Sequence, residues 1–178
     1  MMDANGTPLL ARVIGQANAT GLPVFVTLPA LGHPRGRLAR DLGVKLVEVP
    51  DWASGMAASI RAGVAALTPQ TKGVMVIPGD MPDLTTSDLN TLVQAFESKP
   101  GSIIRATSED GVPGHPVIFP ARFFEELRRI TGDQGARRVI AGNKSQLHLM
   151  ALPGKNAICD LDTPADWAAW KRENGLAP

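Results

Sequence analysis

One acidic residue, Asp80, directly follows a short apolar run, where a carboxylate could do chemistry. Residues 74–77 are apolar, and Pro78 and Gly79 then turn the chain. In an open α/β sheet, ligands bind outside the carboxyl ends of the strands, so Asp80 stands where a metal ion or a phosphate would be held. The same residue could instead turn the chain or cap the next helix. The local pattern leaves both interpretations open.

The chain around Asp80 alternates apolar runs with helical patterns. Strands are predicted over 22–28, 44–49, 74–77, 102–107, 117–119 and 147–152, and helices over 8–20, 35–42, 54–67, 85–96, 123–130, 134–140 and from 163 onwards. Residues 111–116 contain too much Gly and Pro for a regular element. This order predicts an α/β fold, a three-layer α/β/α sandwich with a mainly parallel, Rossmann-like sheet.

Three local signals refine this prediction. The run 74–77 has the character of a strand buried on both faces. Thr85 with Asp88 forms a capping box for the helix that follows. Thr163 is predicted as the N-cap of the last helix, with Pro164 at the first helical position and Asp166 three residues along.

The composition bounds the class of protein. The 178 residues are 44% hydrophobic, which fits one domain with an ordinary core, and the formal net charge of +1 does not favour nucleic acid as a partner. The single cysteine, Cys159, excludes a disulfide framework. No apolar run is long enough to cross a bilayer. The sequence therefore predicts a soluble, cytoplasmic protein that binds neither nucleic acid nor membrane.

Four segments, spread over nearly the whole chain, resemble the MobA-like nucleotidyltransferases and most closely their molybdenum cofactor cytidylyltransferase branch. They are WASGMAASIRAG (52–63), PGDMP (78–82), GHPVIFP with GDQGAR (114–120 and 132–137) and DLDTPAD (160–166). Each motif alone is weak, whereas the four in this order are specific. The resemblance implies that CMP is transferred from CTP to the terminal phosphate of molybdopterin, with release of pyrophosphate.

The resemblance also implies which residues act. Such in-line transfer needs mainly positioning and charge neutralisation, and Mg²⁺ is held by one or two carboxylates together with the substrate phosphates. Asp80 and Asp162 are the expected catalytic metal ligands, with Asp160 as the less favoured alternative to Asp162. The competing interpretation is that residues 160–166 only begin a helix, with acids placed on its dipole.

A further set of residues is expected to contact the nucleotide or the molybdenum cofactor. Each of these residues also has an interpretation without a ligand. Those in the helix that begins near residue 55 could serve only the tight packing of small residues, and the later ones could belong to an ordinary loop or a solvated helix face. The set comprises Gly55, Met56, Ser59, Gly79, Gly114, His115, Pro116 and Arg137, with Ser54 as a further candidate near the nucleotide.

The start of the chain departs from the resemblance. Members of the family open with a strand and a loop of the type L-A-A-G-x-S-x-R-x-G-x-x-K, which holds the triphosphate, and residues 3–10 resemble the sequence just after that loop. Residues 1–178 are thus expected to be a single domain that is N-terminally truncated relative to the family. A missing central strand would leave the edges of neighbouring strands unpaired.

Three alternative functions remain open at this point. One is a guanylyltransferase that uses GTP on the same cofactor. Another is a glycosyltransferase, since residues 160–162 form an Asp-x-Asp sequence. The third is a non-catalytic homologue that binds the cofactor or a partner, such as a molybdenum enzyme or its maturation factor.

Overall fold

The computed structural model describes residues 8–132 and 135–175, so the predictions made for residues 3–7 and for Asp133 and Gln134 lie outside the described residues. Within these ranges the helices are α1 (Leu9–Asn18), α2 (Pro34–Asp41), α3 (Met56–Ala65), α4 (Thr86–Ser98), α5 (Phe124–Leu127), α6 (Arg137–Gly142) and α7 (Pro164–Glu173). The strands are β1 (Phe25–Leu28), β2 (Lys45–Glu48), β3 (Gly73–Val76), β4 (Ile103–Thr107), β5 (Pro113–Pro120) and β6 (Leu147–Ala151). No helix in these ranges is both long and apolar enough to span a membrane.

The strands form two sheets, and the larger one is mixed. Strands β1 and β2 pair in parallel as a separate two-stranded sheet. The other four follow the order β3-β5-β4-β6, in which β5 is antiparallel to both of its neighbours and only β4 and β6 pair in parallel. The fold is α/β, but the prediction of a mainly parallel sheet is wrong.

Strand β5 accounts for the difference. The prediction of an irregular segment over 111–116 is wrong, because β5 already begins at Pro113. A short turn, closed by a hydrogen bond from Ser108 N to Val112 O of 2.9 Å, connects β4 to β5, and so short a connection makes the two strands antiparallel. Pro116 lies where the β4–β5 register is irregular, a place where a missing backbone donor is tolerated.

Helices cover both faces of the larger sheet. One core cluster joins α3, α5 and α6 to one face through residues such as Ile60, Leu127 and Phe119. A second cluster joins α4 to the opposite face, with Leu92 and Ile118 among its members. The larger sheet therefore lies in the middle of a three-layer arrangement.

A gap separates the two sheets. Strand β1 pairs only with β2, and β3 pairs only with β5, so each has one edge without a partner strand among the described residues. This agrees with the expectation of unpaired edges. All four residues of β3 are only partly buried, so the expectation of a fully buried strand here is wrong. We refer to the space between these two edges as the inter-sheet slot.

Both predicted helix starts are confirmed. In the capping box of α4, Thr85 accepts a hydrogen bond from the backbone of Asp88, whose carboxylate accepts one from the backbone of Thr85. The capping box of α7 pairs Thr163 with Asp166 in the same way. Both signals are confined to four consecutive residues, which is why the sequence alone identified them.

Replacing Asp166 by alanine is expected to destabilise the protein near neutral pH. The hydroxyl of Thr163, followed by its backbone N–H, lowers the pKa of Asp166 below its ordinary value of 3.8. A lowered pKa in the folded state stabilises the fold above the ordinary value, and this stabilisation is lost as the pH falls through the lowered value. In urea titrations, the variant and the parent protein should therefore differ at pH 7 and converge in acid. Asp41→Ala, at the C-terminus of α2, is the control and should not destabilise the fold.

Candidate active site

The carboxylates predicted to hold a metal come together at the end of β3. Asp80 follows the turn after β3, and its backbone oxygen accepts a hydrogen bond of 3.1 Å from Leu161 N. Leu161 is buried between Asp160 and Asp162, both of which are exposed. This backbone contact therefore brings together two segments that are distant in the sequence. One of them carries Asp80, and the other carries an acidic residue on each side of Leu161.

Helices α1 and α7 hold the later of these segments in place. Leu161 packs with Leu9, Trp167 and Trp170 in a small core cluster. The Trp170 indole N–H also donates to the carboxylate of Asp83, at 2.8 Å, three residues beyond Asp80. The capping box that starts α7 immediately follows Asp162, so the position of that carboxylate depends on a well-anchored helix start.

Asp80 differs from its two acidic neighbours in its surroundings. The side chain is half-buried, and its Oδ1 atom is buried without a hydrogen-bond partner among the described residues. Burial raises the pKa of Asp80, and the negative charges of Asp162 and Asp160 raise it further, while its own backbone N–H and the Arg35 cation lower it. An unpartnered carboxylate oxygen surrounded by like charges favours the binding of a cation.

This arrangement fits a divalent metal that completes its coordination with substrate. No group of three or more His, Cys, Asp or Glu side chains stands ready to hold an ion within the ranges that the structure describes. Magnesium needs only one or two carboxylates when phosphates and water supply its other oxygens. Asp80, with Asp162 or Asp160, offers such a set, whereas a structural site that holds a metal without substrate is not present among these residues.

A second cluster lies beside the first and is cationic. Met56, His115 and Arg137, three of the residues predicted to contact the nucleotide or the cofactor, line a cavity of about 60 Å³. Arg105 of β4 lines the same cavity, although it belongs to none of the sequence motifs. Neither guanidinium has an ion-pair partner among the carboxylates of the described residues. The cluster can therefore accept an anion, for which guanidinium groups are well suited.

The electrostatics of this cluster support an anion site. Burial lowers the pKa of His115, and the cations of Arg105 and Arg137 lower it further, so that neutral imidazole is favoured. Burial and the charge of Arg137 likewise lower the pKa of Arg105. Each of these pKa shifts disfavours the positively charged form of the side chain, and a bound anion would favour that form again. His115 Nδ1 is buried without a hydrogen-bond partner in the part of the chain that the structure describes.

Arg105 also shapes strand β5. Its Nε atom donates to Gly114 O at 3.1 Å, and its Nη2 atom donates to Pro113 O at 3.4 Å. It therefore connects the cavity to the GHP segment that carries His115. The sequence did contain a signal for Arg105, because it is the single charged residue of the apolar strand SIIRAT. A charge in a buried strand needs a partner or a ligand.

The predicted glycines have steric roles in this structure. Gly55 is the N-cap of α3 with φ of 94°, a backbone conformation that other residues rarely adopt. A Cβ atom on Gly79, which lies beside the inter-sheet slot, would stand 3.3 Å from Leu10. A Cβ on Gly114 would stand 1.8 Å from Ala157 O, so β5 reaches the 157 segment only with glycine there. Pro116, the neighbour of His115, is buried within β5.

Replacing Gly114 by alanine is expected to lower the free energy of unfolding by about 1–3 kcal/mol or more, because the new methyl group meets a backbone oxygen that cannot move aside. The natural control is Gly142→Ala in α6, where nothing lies within 4 Å of the added atom. Chemical denaturation of both variants checks this. Equal stabilities would show that β5 can shift away from Ala157.

The remaining candidates divide between the two regions. Met56 is 53% exposed and borders both the small cavity and the inter-sheet slot. Ser59, one helical turn along, is half-buried and lines the slot. Ser54 does not point to a ligand, since its hydroxyl donates to Asp51 at 3.3 Å. The predicted residues thus form an acidic group, a cationic group and a helix start at the mouth of the slot.

Comparison with known protein families matches residues 1–149 to the MobA-like NTP transferase domain. Among individual proteins, the chain is 26% identical over 136 residues to the molybdenum cofactor cytidylyltransferase of Escherichia coli K12, which covers 76% of this chain and 66% of that protein. It is 22% identical over 160 residues to the probable molybdenum cofactor guanylyltransferase of Rhodopirellula baltica, covering 89% of this chain and 68% of the other. The chain thus spans about two thirds of the length of these relatives.

Solved structures with similar folds include Rv0371c of Mycobacterium tuberculosis H37Rv, with a TM-score of 0.77, 24% identity, and coverage of 94% of this chain and 85% of that one. A structure of the same protein in complex with manganese has a TM-score of 0.73 and 23% identity, and the match covers 92% of this chain and 86% of that one. The 4-diphosphocytidyl-2C-methyl-D-erythritol synthase of Anaerococcus prevotii has a TM-score of 0.73 and 11% identity, and the match covers 98% of this chain and 92% of that one. At these identities the similarity shows the α/β fold that the chain shares with nucleotidyltransferases.

Proposed function

Because the chain belongs to the MobA-like NTP transferase domain family, we propose that it transfers CMP from CTP to the terminal phosphate of molybdopterin or the molybdenum cofactor. An oxygen of the acceptor phosphate attacks the α-phosphorus of the nucleotide. The bond from that phosphorus to the bridging oxygen breaks, and pyrophosphate leaves. Both substrates are anions, so the protein's main tasks are to neutralise charge and to align the two phosphates.

The observation that carries this proposal is the contact between Asp80 O and Leu161 N. It places the acidic residues of two distant segments at the carboxyl end of one strand, where nucleotides bind in α/β sheets. If residues 160–166 served only to begin a helix, they would not need Asp80 beside them. The buried Oδ1 atom of Asp80 has no hydrogen-bond partner in the described part of the chain. Two carboxylates beside a phosphate site are the ligands that an enzyme of this class needs.

Asp80 and Asp162 are the proposed metal ligands, with Asp160 beside them. A bound Mg²⁺ would neutralise charge on the reacting phosphates. Arg35 affects Asp80 electrostatically and lines the inter-sheet slot, so it is placed to meet a phosphate near the metal. The half-buried position of Asp80 limits its exposure to water, which strengthens its interaction with a cation.

The cationic cluster is the proposed site for the phosphate of the acceptor. Arg105 and Arg137 supply charge from two different elements, and His115 supplies a neutral ring whose Nδ1 can hydrogen-bond. The charge of Asp160 also acts on His115, so the acidic and cationic groups are neighbours. An acceptor phosphate held by the cations would therefore lie next to the metal-bound nucleotide.

The test is release of pyrophosphate by the purified chain with Mg²⁺, molybdopterin and either CTP or GTP. Pyrophosphate formed with CTP, together with a CMP adduct of the pterin, supports the proposal. Faster release with GTP would assign the chain to guanylyl transfer, the activity suggested by the name of the Rhodopirellula baltica relative. Binding of molybdopterin without turnover of either nucleotide would instead assign a binding role.

A further inference from the structure

Arg61 of α3 bonds to two segments beside the cationic cluster of Arg105, Arg137 and His115, although it does not line the cavity itself. Its Nη1 atom donates to the backbone oxygen of Ile130, beyond the end of α5, at 2.7 Å. Its Nη2 atom forms an ion pair with residue 51, in the turn that precedes α3. The other ion pairs of the described residues connect close neighbours around α5. Arg61 therefore connects two loops to the helix that lies between them.

The contacts of Arg61 matter for geometry more than for stability. The side chains of Arg61 and Asp51 are 25% and 56% exposed, and exposed ion pairs contribute little to the free energy of unfolding because water screens them. A guanidinium group with two partners nevertheless fixes their positions relative to each other, because its donors form a rigid fork. These contacts therefore align the two segments without being needed for folding.

One of these segments leads directly to the cavity. Ile130 precedes Arg137 by seven residues. Gly135, between them, lies against α3, since a Cβ atom on it would stand 3.6 Å from Met56 and 3.7 Å from Ile60. Met56, Ile60 and Arg137 all line the cavity. The stretch from 130 to 137 is thus held against α3 at its start and again shortly before Arg137.

Arg137 depends on this support because it faces a like charge. Arg105 lines the same small cavity, and the charge of Arg137 lowers the pKa of Arg105. Two cations that face one cavity repel each other. Arg105 is anchored by hydrogen bonds to two backbone oxygens of β5, whereas the side chain of Arg137 has no hydrogen bond or ion pair among the described residues. The position of Arg137 is therefore set by its backbone.

We propose that Arg61 is a positioning residue for the cationic cluster. By connecting the turn before α3 with the segment after α5, it holds Arg137 near Arg105 against their repulsion, so that both guanidinium groups can bind one phosphate. This role rests on the proposed function, in which the cluster holds the phosphate of the acceptor. Arg61 acts through Arg137 and does not itself contact the ligand.

The test measures binding of inorganic phosphate to the full 178-residue chain by nuclear magnetic resonance, followed on the ring signal of His115. Of the three histidines, His115 is the one that lines the cavity. Arg61→Met removes both bonds of the guanidinium and should raise the Kd for phosphate at least about tenfold, because Arg137 moves away and a contact between charged groups is lost. Arg128→Met is the control, since it removes an exposed ion pair at the end of α5 and should leave the Kd unchanged.

A double-mutant cycle shows whether Arg61 acts through Arg137. Arg137→Gln alone should weaken phosphate binding, and adding Arg61→Met to it should cause no further loss. A purely structural effect of Arg61 would instead weaken binding by the same factor in both backgrounds. Arg61→Lys retains the charge beside Asp51 but has a single donor group, so its affinity should fall between those of the parent protein and Arg61→Met.

Three results would overturn the proposal: parental phosphate affinity in both Arg61 variants, the same loss from Arg61→Met with and without Arg137, or no response of the His115 signal to phosphate in the parent protein. If Arg61→Met does not fold, parental affinity in Arg61→Lys alone overturns it. The pyrophosphate assay with CTP is a separate measurement. Its failure in the parent protein would contradict the transferase function, while phosphate binding that depends on Arg61 would still support the positioning role.

Discussion

Replacing Asp80 by asparagine is expected to lower the rate of pyrophosphate release by about 10³-fold, because loss of the charge of a proposed metal ligand would remove several kcal/mol of transition-state stabilisation. The amide of the variant would keep the shape of the side chain and lose the negative charge that attracts the ion. Binding of Mn²⁺, followed by electron paramagnetic resonance or calorimetry, should weaken in parallel. Steady-state assays of the parent protein and the variant with CTP, molybdopterin and saturating Mg²⁺ measure the effect.

Stability distinguishes this role from a structural one. The raised pKa of Asp80 means that, when this carboxylate is charged, the folded state carries the cost of burial and of repulsion from Asp162 and Asp160. Asp80→Asn should therefore melt at the same temperature as the parent protein without metal, or at a higher one. Asp110→Asn, on the exposed turn between β4 and β5, is the control for loss of one negative charge. A lower melting temperature with unchanged metal binding would identify Asp80 as a structural residue.

Replacing Arg105 by glutamine is expected to raise the KM for molybdopterin by about 10- to 100-fold, because a hydrogen bond to a charged group contributes about 1.5–3 kcal/mol. The KM for the nucleotide should change little, since the cationic cluster is proposed to hold the acceptor. Direct binding of molybdopterin without nucleotide provides a measurement that does not depend on turnover. An effect of similar size is expected for Arg137→Gln.

Two controls separate ligand binding from the structural contacts of Arg105 with Gly114 and Pro113. Arg138→Gln removes a charge from the next position of α6, where the side chain is exposed and does not line the cavity, and it should leave the acceptor KM unchanged. Arg105→Lys retains the charge, so it should recover part of the binding if charge is what matters. A uniform loss of stability in both Arg105 variants, with normal acceptor binding, would contradict the proposed role.

The residues of the candidate site were largely predictable from the sequence, whereas their grouping was not. Asp80 could be selected because a buried strand followed by Pro-Gly places the next side chain at a ligand-binding edge. Asp162, His115 and Arg137 were found through their resemblance to family motifs. Arg105 was missed because it belongs to no such motif. Its significance depends on β4 lying beside β5, a long-range pairing that no local pattern encodes.

The sequence by itself determined the elements whose stabilising contacts are local. The capping boxes of α4 and α7 each lie within four residues, and the apolar runs predicted most of the strands, because side-chain periodicity and nearby hydrogen bonds act before any tertiary contact forms. Only the tertiary structure decided the direction of β5, the separation of the two sheets and the contact of Asp80 with Leu161. Each of these depends on backbone groups from distant segments finding partners, and such pairing is fixed by the packing of the whole chain.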